Sequence, residues 1–213
     1  MSIRKTLLAA VMAVVAFAAM PAVAFALPTA DLPANVNFTI HGGAASITGG
    51  LEPNCTTITG SGKFENESTG KVKLTFHACK VSIFNCSTGA NPGTIETTEL
   101  PFHLVFITTG KPGILVTPGA NNHFASFSCV LGNAVMAGNG FIGEITSPCN
   151  VKSKTFAFKF SGSGPNQTHK TIDESGTEYS LKSSIGGGEL TAAALDLSAT
   201  ATWVGGGEGT ITC

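Results

Sequence analysis

Hydrophobic and polar residues alternate along most of the chain after residue 36. Between residues 72 and 76 Val, Leu and Phe alternate with lysine and threonine, and Phe stands at every second position from 156 to 160. This period of two is typical of strands with one buried face. Residues 100–107 are apolar at nearly every position, which predicts a strand buried on both faces with His103 as a core histidine.

Turn residues separate these segments, and only residues 189–197 have a pattern that a short helix also accommodates. Many short strands with Gly, Pro and Asn turns predict an all-β fold. The expected architecture is a single domain over residues 35–213, a two-sheet antiparallel sandwich with disulfides. A β-barrel is the alternative. Residues 27–34, with Pro28 and Pro33, are expected to form an extended leader.

The first 26 residues have the layout of a secretory signal peptide. Arg4 and Lys5 precede an apolar run over residues 7–20, and Ala24 and Ala26 offer a cleavage site of small residues. An uncleaved membrane anchor is the alternative, but Pro21 and the cleavage motif favour removal. The expected location is therefore secreted, extracellular or at the cell surface, with no membrane span in the mature chain.

Composition and charge narrow the function further. The chain has 12 Lys+Arg against 13 Asp+Glu, for a net charge of −1, and only 12% charged residues. This balance excludes a general nucleic-acid binder and a polybasic membrane-surface protein. Arg4 is the only arginine, so the mature chain lacks the usual bidentate ligand for phosphate and carboxylate.

Six cysteines follow the signal segment, and an even number in an exported chain predicts disulfides. Cys79 and Cys86 are the easiest pair, because six intervening residues can fold back on themselves. Metal binding is disfavoured by the lack of C-x-x-C and of closely spaced histidines. The candidates are Cys55, Cys79, Cys86, Cys129, Cys149 and Cys213.

Catalytic motifs are weak. Residues 138–143 match G-x-G-x-x-G, but a strand-like segment follows where a dinucleotide site needs a helix, so these glycines are expected in a turn. A Ser-His-Asp set is available only if folding assembles it. Its parts are His77, expected at the surface, His103 and His123, with Asp173 or Asp196.

Acidic residues offer two further sites, both disfavoured. Paired carboxylates for glycoside hydrolysis would have to come from Glu96, Glu99 and Glu144. Residues 173–174 with Glu178 form a small acidic cluster that lacks EF-hand spacing, and a solvated loop is the expected reading. No catalytic, cofactor-binding or metal-binding residue is therefore assigned.

Six segments of the chain carry a resemblance to known sequences: residues 70–80, GKVKLTFHACK; 85–95, NCSTGANPGTI; 127–129, FSC; 142–148, IGEITSP; 154–160, KTFAFKF; and 180–188, SLKSSIGGG. Together they resemble an uncharacterised set of exported actinobacterial β-rich proteins without an assigned function. The resemblance implies an exported β protein, with Cys79, Cys86 and Cys129 at cysteine positions of the family. Cys149 and Cys213 depart from it, which suggests a disulfide of their own.

The expected function is a secreted, non-catalytic protein of the cell envelope or extracellular space, in a binding or structural role. An envelope or extracellular polymer is the expected partner, and no cofactor is expected. Two alternatives stay open. One is a secreted hydrolase whose site is assembled only in the fold, and the other is a β-barrel carrier of a small apolar ligand.

Overall fold

The structure is a computed structural model that describes residues 27–32, 35–172 and 176–213. The predicted signal peptide, residues 33–34 of the predicted leader, and Asp173 and Glu174 of the acidic cluster lie outside the described residues.

Strands make up most of the described chain, with one short 3-10 turn at Ala120–Asn122. All strand pairings are antiparallel. The all-β, antiparallel class is thus confirmed. The strands are β1 (Thr29–Asp31), β2 (Asn37–Thr48), β3 (Asn54–Cys55), β4 (Thr57–Phe64), β5 (Thr69–His77), β6 (Lys80–Val81), β7 (Phe84–Ser87), β8 (Ile95–Glu96), β9 (Leu100–Thr108), β10 (Lys111–Val116), β11 (His123–Cys129), β12 (Gly132–Gly138), β13 (Phe141–Ile145), β14 (Thr155–Phe160), β15 (Gly162–Ser163), β16 (Asn166–Gln167), β17 (Leu181–Ile185), β18 (Thr191–Trp203) and β19 (Thr210–Thr212).

The two longest strands, β2 and β18, pair with each other and organise the sheet. From β2 the pairings run through β4, β5, β9, β10, β13 and β14 to β18, which closes a first circuit. They also run from β2 through β3, β6, β7, β11, β12 and β17 to β18, which closes a second circuit. The finer choice between sandwich and barrel stays a prediction.

The shared pair changes register between Leu197 and Ala199, where β18 passes from one circuit to the other. Of residues 189–197, which also have a helical pattern, the segment 191–197 belongs to β18 and not to a helix. Pairing with β2, β14 and β17 satisfies the backbone of this segment, so tertiary context overrides its local preference.

Aromatic rings fill the first circuit, as the alternating phenylalanines predict. Phe38 lies at the centre of this aromatic core, and its ring centroid is 5.7 Å from that of Phe64 and 6.2 Å from that of Trp203. The tilted and edge-on contacts are those that aromatic quadrupoles favour. Residue 62, which faces this core, is a glycine, and a larger side chain there would overlap the Phe38 ring.

The strand at residues 100–107 is buried on both faces over only part of its length. Val105 and Ile107 pack with Leu115 and Ile142 in a second, smaller apolar cluster outside the aromatic core. His103 is exposed, so its prediction as a core histidine is wrong. The smaller cluster is covered by Ile172 and Tyr179, and this cover does not reach the start of β9.

All six cysteines are in disulfides, but the predicted Cys79–Cys86 bridge is wrong. The bonds are Cys55–Cys79, Cys86–Cys129 and Cys149–Cys213. The chain does fold back between Cys79 and Cys86, since the Cys86 amide donates to the Cys79 carbonyl over 2.9 Å. However, β6 of this hairpin also pairs with β3, and β7 also pairs with β11. Each cysteine bonds to the cysteine of that other neighbouring strand. The separate bond of Cys149 with Cys213 agrees with the expectation from the resemblance.

The predicted leader contributes a strand. β1 pairs with β19 in a separate two-stranded sheet, with Thr29 opposite Thr212 and Ala30 fully buried. Beside it lies the Cys149–Cys213 disulfide, at the end of the molecule where β18 terminates in Trp203.

Candidate functional site

Sequence-predicted histidines and aspartates are not assembled into a triad among the residues that the structure describes. His77 Nε2 is 2.7 Å from Thr59 Oγ1, on the solvent side of β5 as expected, while His123 lies at the start of β11 with Nδ1 buried and unpartnered. Asp196 is exposed on β18, and no hydrogen bond or ion pair in the described ranges joins it to these histidines.

The three glutamates proposed for paired acid chemistry are each held by a different lysine. Glu96 lies 2.7 Å from the Lys73 ammonium, and Glu99 lies 3.4 Å from that of Lys71. These are exposed surface ion pairs, which contribute little to stability. A second carboxylate, that of Glu65, also contacts Lys71 at 3.3 Å, and the two carboxylates raise the pKa of this lysine, Glu65 most.

Two of the three glycines of the G-x-G-x-x-G match, Gly138 and Gly140, lie at the turn between two strands, as expected, whereas the third, Gly143, lies within β13 and pairs with β10. Gly138 ends β12 and Gly140 precedes β13, both at positive φ, which glycine adopts readily. The strand β13 follows, where a pyrophosphate site would need a helix N-terminus. Of the acidic cluster, Glu178 is described, and its carboxylate lies 3.6 Å from the Lys170 ammonium.

Glu144 belongs to a partly buried charge cluster that the sequence did not reveal. Its carboxylate lies 3.0 Å from the Lys111 ammonium and 3.8 Å from His169 Nε2. Burial, reinforced by the Lys111 charge, lowers the pKa of His169 against the opposing effect of Glu144. His169 is brought here by a bridge with Ile142 of β13, a pairing that no local pattern indicates.

This cluster predicts a loss of stability in mild acid. Because burial disfavours the imidazolium, the unfolded chain binds the His169 proton at a higher pH than the folded protein does. Stability therefore falls as the pH drops below the ordinary histidine value of 6.5. His169→Gln is expected to reduce that loss, as measured by thermal unfolding from about pH 8 to about pH 5.

The control for this prediction is His103→Gln, a change at an exposed position on β9. It is expected to keep the parent's dependence of melting temperature on pH. An unchanged dependence in His169→Gln would contradict the assignment.

Four hairpin loops meet at one end of the second circuit and form the most distinctive surface of the described chain. They are residues 49–53, 82–83, 130–131 and 186–190. Each follows a strand that runs toward this end and precedes one that runs away, because neighbouring strands in the circuit are antiparallel. We call this surface the apolar loop end, after its exposed side chains Ile83, Phe84, Val130, Leu131, Ile185 and Leu190.

Two of the loops place apolar residues where a tight turn usually has glycine, asparagine or aspartate. Val81 pairs with Phe84, so residues 82–83 alone make the first turn, and Ile83 at its tip is 78% exposed. Cys129 pairs with Gly132, so Val130 and Leu131 make the second turn. Val130 is 70% exposed. Neither turn chemistry nor core packing accounts for these residues.

Contacts between the loops hold this surface together. Gly132 and Gly50 both lie close to the Ile185 side chain. A Cβ atom added to Gly132 would lie 3.4 Å from Ile185 Cγ2, and one added to Gly50 would lie 3.5 Å from Ile185 Cγ1. The Gly186 amide donates to the Asn133 carbonyl over 2.8 Å, and the Ser183 hydroxyl donates to the Gly49 carbonyl.

Two disulfides brace the loops from behind. Cys129 directly precedes Val130, and its partner Cys86 is two residues beyond Phe84. Cys55 follows the first loop, and its partner Cys79 precedes the hairpin that carries Ile83. The exposed apolar residues are thus presented on crosslinked strands, which lowers the entropy that binding has to overcome.

The apolar loop end escaped the sequence analysis because its side chains come from segments far apart in the chain. The only local signal was two adjacent apolar residues close to a cysteine, at residues 83–84 and 130–131. Such a pair is typical of a strand and does not by itself indicate an exposed turn.

Charged side chains line another surface. A trough of about 670 Å³ lies over β2, β4 and β5, and its lining includes Lys63, Lys71 and Glu99. In the residues that the structure covers, no group of three His, Cys, Asp or Glu side chains is placed to hold a metal ion.

Comparison with protein-family models, with curated proteins and with solved structures finds no match. In the described part of the chain, no helix has the length and apolar character to cross a membrane.

Proposed function

We propose that this chain is a non-catalytic binding protein of the cell envelope or extracellular space, and that it binds through the apolar loop end. The observation that carries this proposal is the set of six large apolar side chains exposed on or beside three of the four loops at one end of the molecule. Exposed apolar surface that is contiguous marks interaction sites in soluble proteins.

The chemistry of the cysteines supports a location in the cell envelope or extracellular space. Three disulfides with no free cysteine in the described residues are typical of proteins that fold in an oxidising environment. The signal-like segment at residues 1–26 and the resemblance to exported proteins support the same location. The aromatic core disfavours the carrier alternative, because packed rings occupy the interior that an apolar ligand would need.

The test is co-sedimentation of the mature protein with envelope fragments of the producing cell and with insoluble polysaccharides. The parent is expected to pellet saturably with the envelope fraction, also at high salt. The loop variant Ile83→Ser/Leu131→Ser is expected to bind about tenfold more weakly or worse, because burying a large apolar side chain contributes roughly 1.5–3 kcal/mol.

A matched control replaces two valines at the opposite end of the molecule. Val151 and Val204 are 52% and 55% exposed, close to the 57% of Leu131. The control variant Val151→Ser/Val204→Ser is expected to pellet like the parent. A parent that does not pellet, or a loop variant that pellets as well as the parent, would overturn the proposal.

A further inference from the structure

We infer that the partner of the apolar loop end is the surface of a lipid bilayer, into which the loop tips insert. This inference rests on the proposed function and names its partner. It concerns insertion of apolar side chains, not the electrostatic attachment that the composition already excludes.

The area of the apolar loop end is too small for a stable pairing of two copies. Its six side chains expose on the order of 600 Å², the upper end of the apolar patch on a typical monomer. A standard protein interface buries about 800 Å² on each partner, and an obligate homodimer buries more. A bilayer sets no such minimum, because tips inserted in it are surrounded by acyl chains on all sides.

The residue types favour acyl chains over a protein or a glycan. Five of the six exposed side chains are aliphatic, and Phe84 is the only ring among them. Protein interfaces are anchored mainly by Trp, Tyr and Arg, whereas Leu and Val are under-represented among their strongest contacts. The chain has one Trp and one Tyr. Trp203 is buried at the opposite end, and Tyr179 packs on the smaller apolar cluster.

The shape of the surface points the same way. The tips at residues 82–83 and 130–131 are two-residue turns that protrude beyond the last paired residues of their strands. The trough over β2, β4 and β5 is lined by other residues. Separate protruding tips suit a fluid partner that closes around each of them, whereas a folded partner needs a matching surface.

Charge at this end is balanced. Lys80 and Lys182 lie on the strands that lead to the tips, and Glu52 and Glu189 lie in the loops. The local net charge is therefore zero. Binding is expected on neutral phosphatidylcholine membranes, without a requirement for anionic lipid, and with little effect of salt.

Vesicle flotation tests this inference. The disulfide-bonded mature protein is mixed with phosphatidylcholine vesicles, or with vesicles that also contain phosphatidylglycerol, at about 0.1 M and about 1 M salt. The parent and the control variant Val151→Ser/Val204→Ser are expected to float with both vesicle types at both salt concentrations. Ile83→Ser/Leu131→Ser is expected to lose at least about tenfold in vesicle affinity.

A second pair, Val130→Ser/Leu190→Ser, tests the same surface through different side chains and is expected to lose a similar amount. All four positions are exposed, and surface substitutions usually change stability by about 0.5 kcal/mol or less, so folding is retained. Flotation of both loop variants at the parent's level would overturn the inference.

Other outcomes separate this inference from the proposed function. A parent that pellets with envelope fragments but does not float would overturn the lipid partner and leave the binding function standing. Flotation that needs anionic lipid and disappears at about 1 M salt would show that the protein attaches by charge and not by insertion, and would overturn the inference. A parent dimer that the loop substitutions dissociate would make a second copy the occupant.

Discussion

Replacing Phe38 by alanine is expected to lower the free energy of unfolding by about 3–5 kcal/mol. Its ring is buried at the centre of the aromatic core, with centroids of Phe102 and Phe156 both 6.0 Å away. Alanine would leave a cavity lined by rings that β-strands hold in place and that cannot collapse into it. Urea unfolding, with equal slopes for parent and variant, measures the loss.

The matched control is Val204→Ala, next to the buried Trp203 but exposed. Its expected change is about 0.5 kcal/mol or less. A change of similar size in Phe38→Ala would contradict the assignment of the aromatic core as the packed centre of the first circuit.

Removing the Cys86–Cys129 disulfide is the second change with a large expected effect. The bonded residues are 43 apart in sequence, and the chain-entropy relation gives a loss of about 4 kcal/mol for a loop of this length. Both cysteines are replaced by serine so that no free thiol remains. Because this bond fixes β7 to β11 behind the tips, weaker envelope binding is expected together with the lower unfolding midpoint.

The Cys149–Cys213 pair provides the control. It joins residues 64 apart and lies at the opposite end of the molecule, beside β1 and β19. Its removal is expected to lower stability by a similar amount while leaving envelope binding of the folded protein unchanged. Equal binding losses in the two variants would show that binding follows overall stability and not the loop end.

Local patterns predicted the strands and their buried faces well. The alternation at residues 72–76 predicted the burial of Val72, Leu74 and Phe76, and Gly138 and Gly140 lie at a turn as expected. These features depend on side-chain period and turn chemistry, which are written in neighbouring residues.

Long-range pairing could not be predicted from such patterns. Thr29 pairs with Thr212 across 183 residues, and Cys79 bonds to Cys55 although Cys86 lies opposite it in the hairpin. His103 is exposed because the cover over its strand begins two residues later, at Val105. Each outcome depends on which distant segment packs beside a strand. The sequence of that strand alone does not contain this information.

The apolar loop end is the clearest case of this limit. Ile83, Val130 and Leu190 lie in three separate segments of the sequence. They become one surface only because antiparallel pairing brings alternate hairpins of the second circuit to the same end.

Hydrogen–deuterium exchange, compared between the free protein and the protein bound to envelope fragments, tests the binding surface most directly. We expect slower exchange on binding at residues 49–53, 82–84, 130–133 and 185–190, with the opposite end of the molecule unchanged. Protection centred instead on the trough at residues 61–73, with the four loops unchanged, would contradict the assignment of the apolar loop end as the binding site.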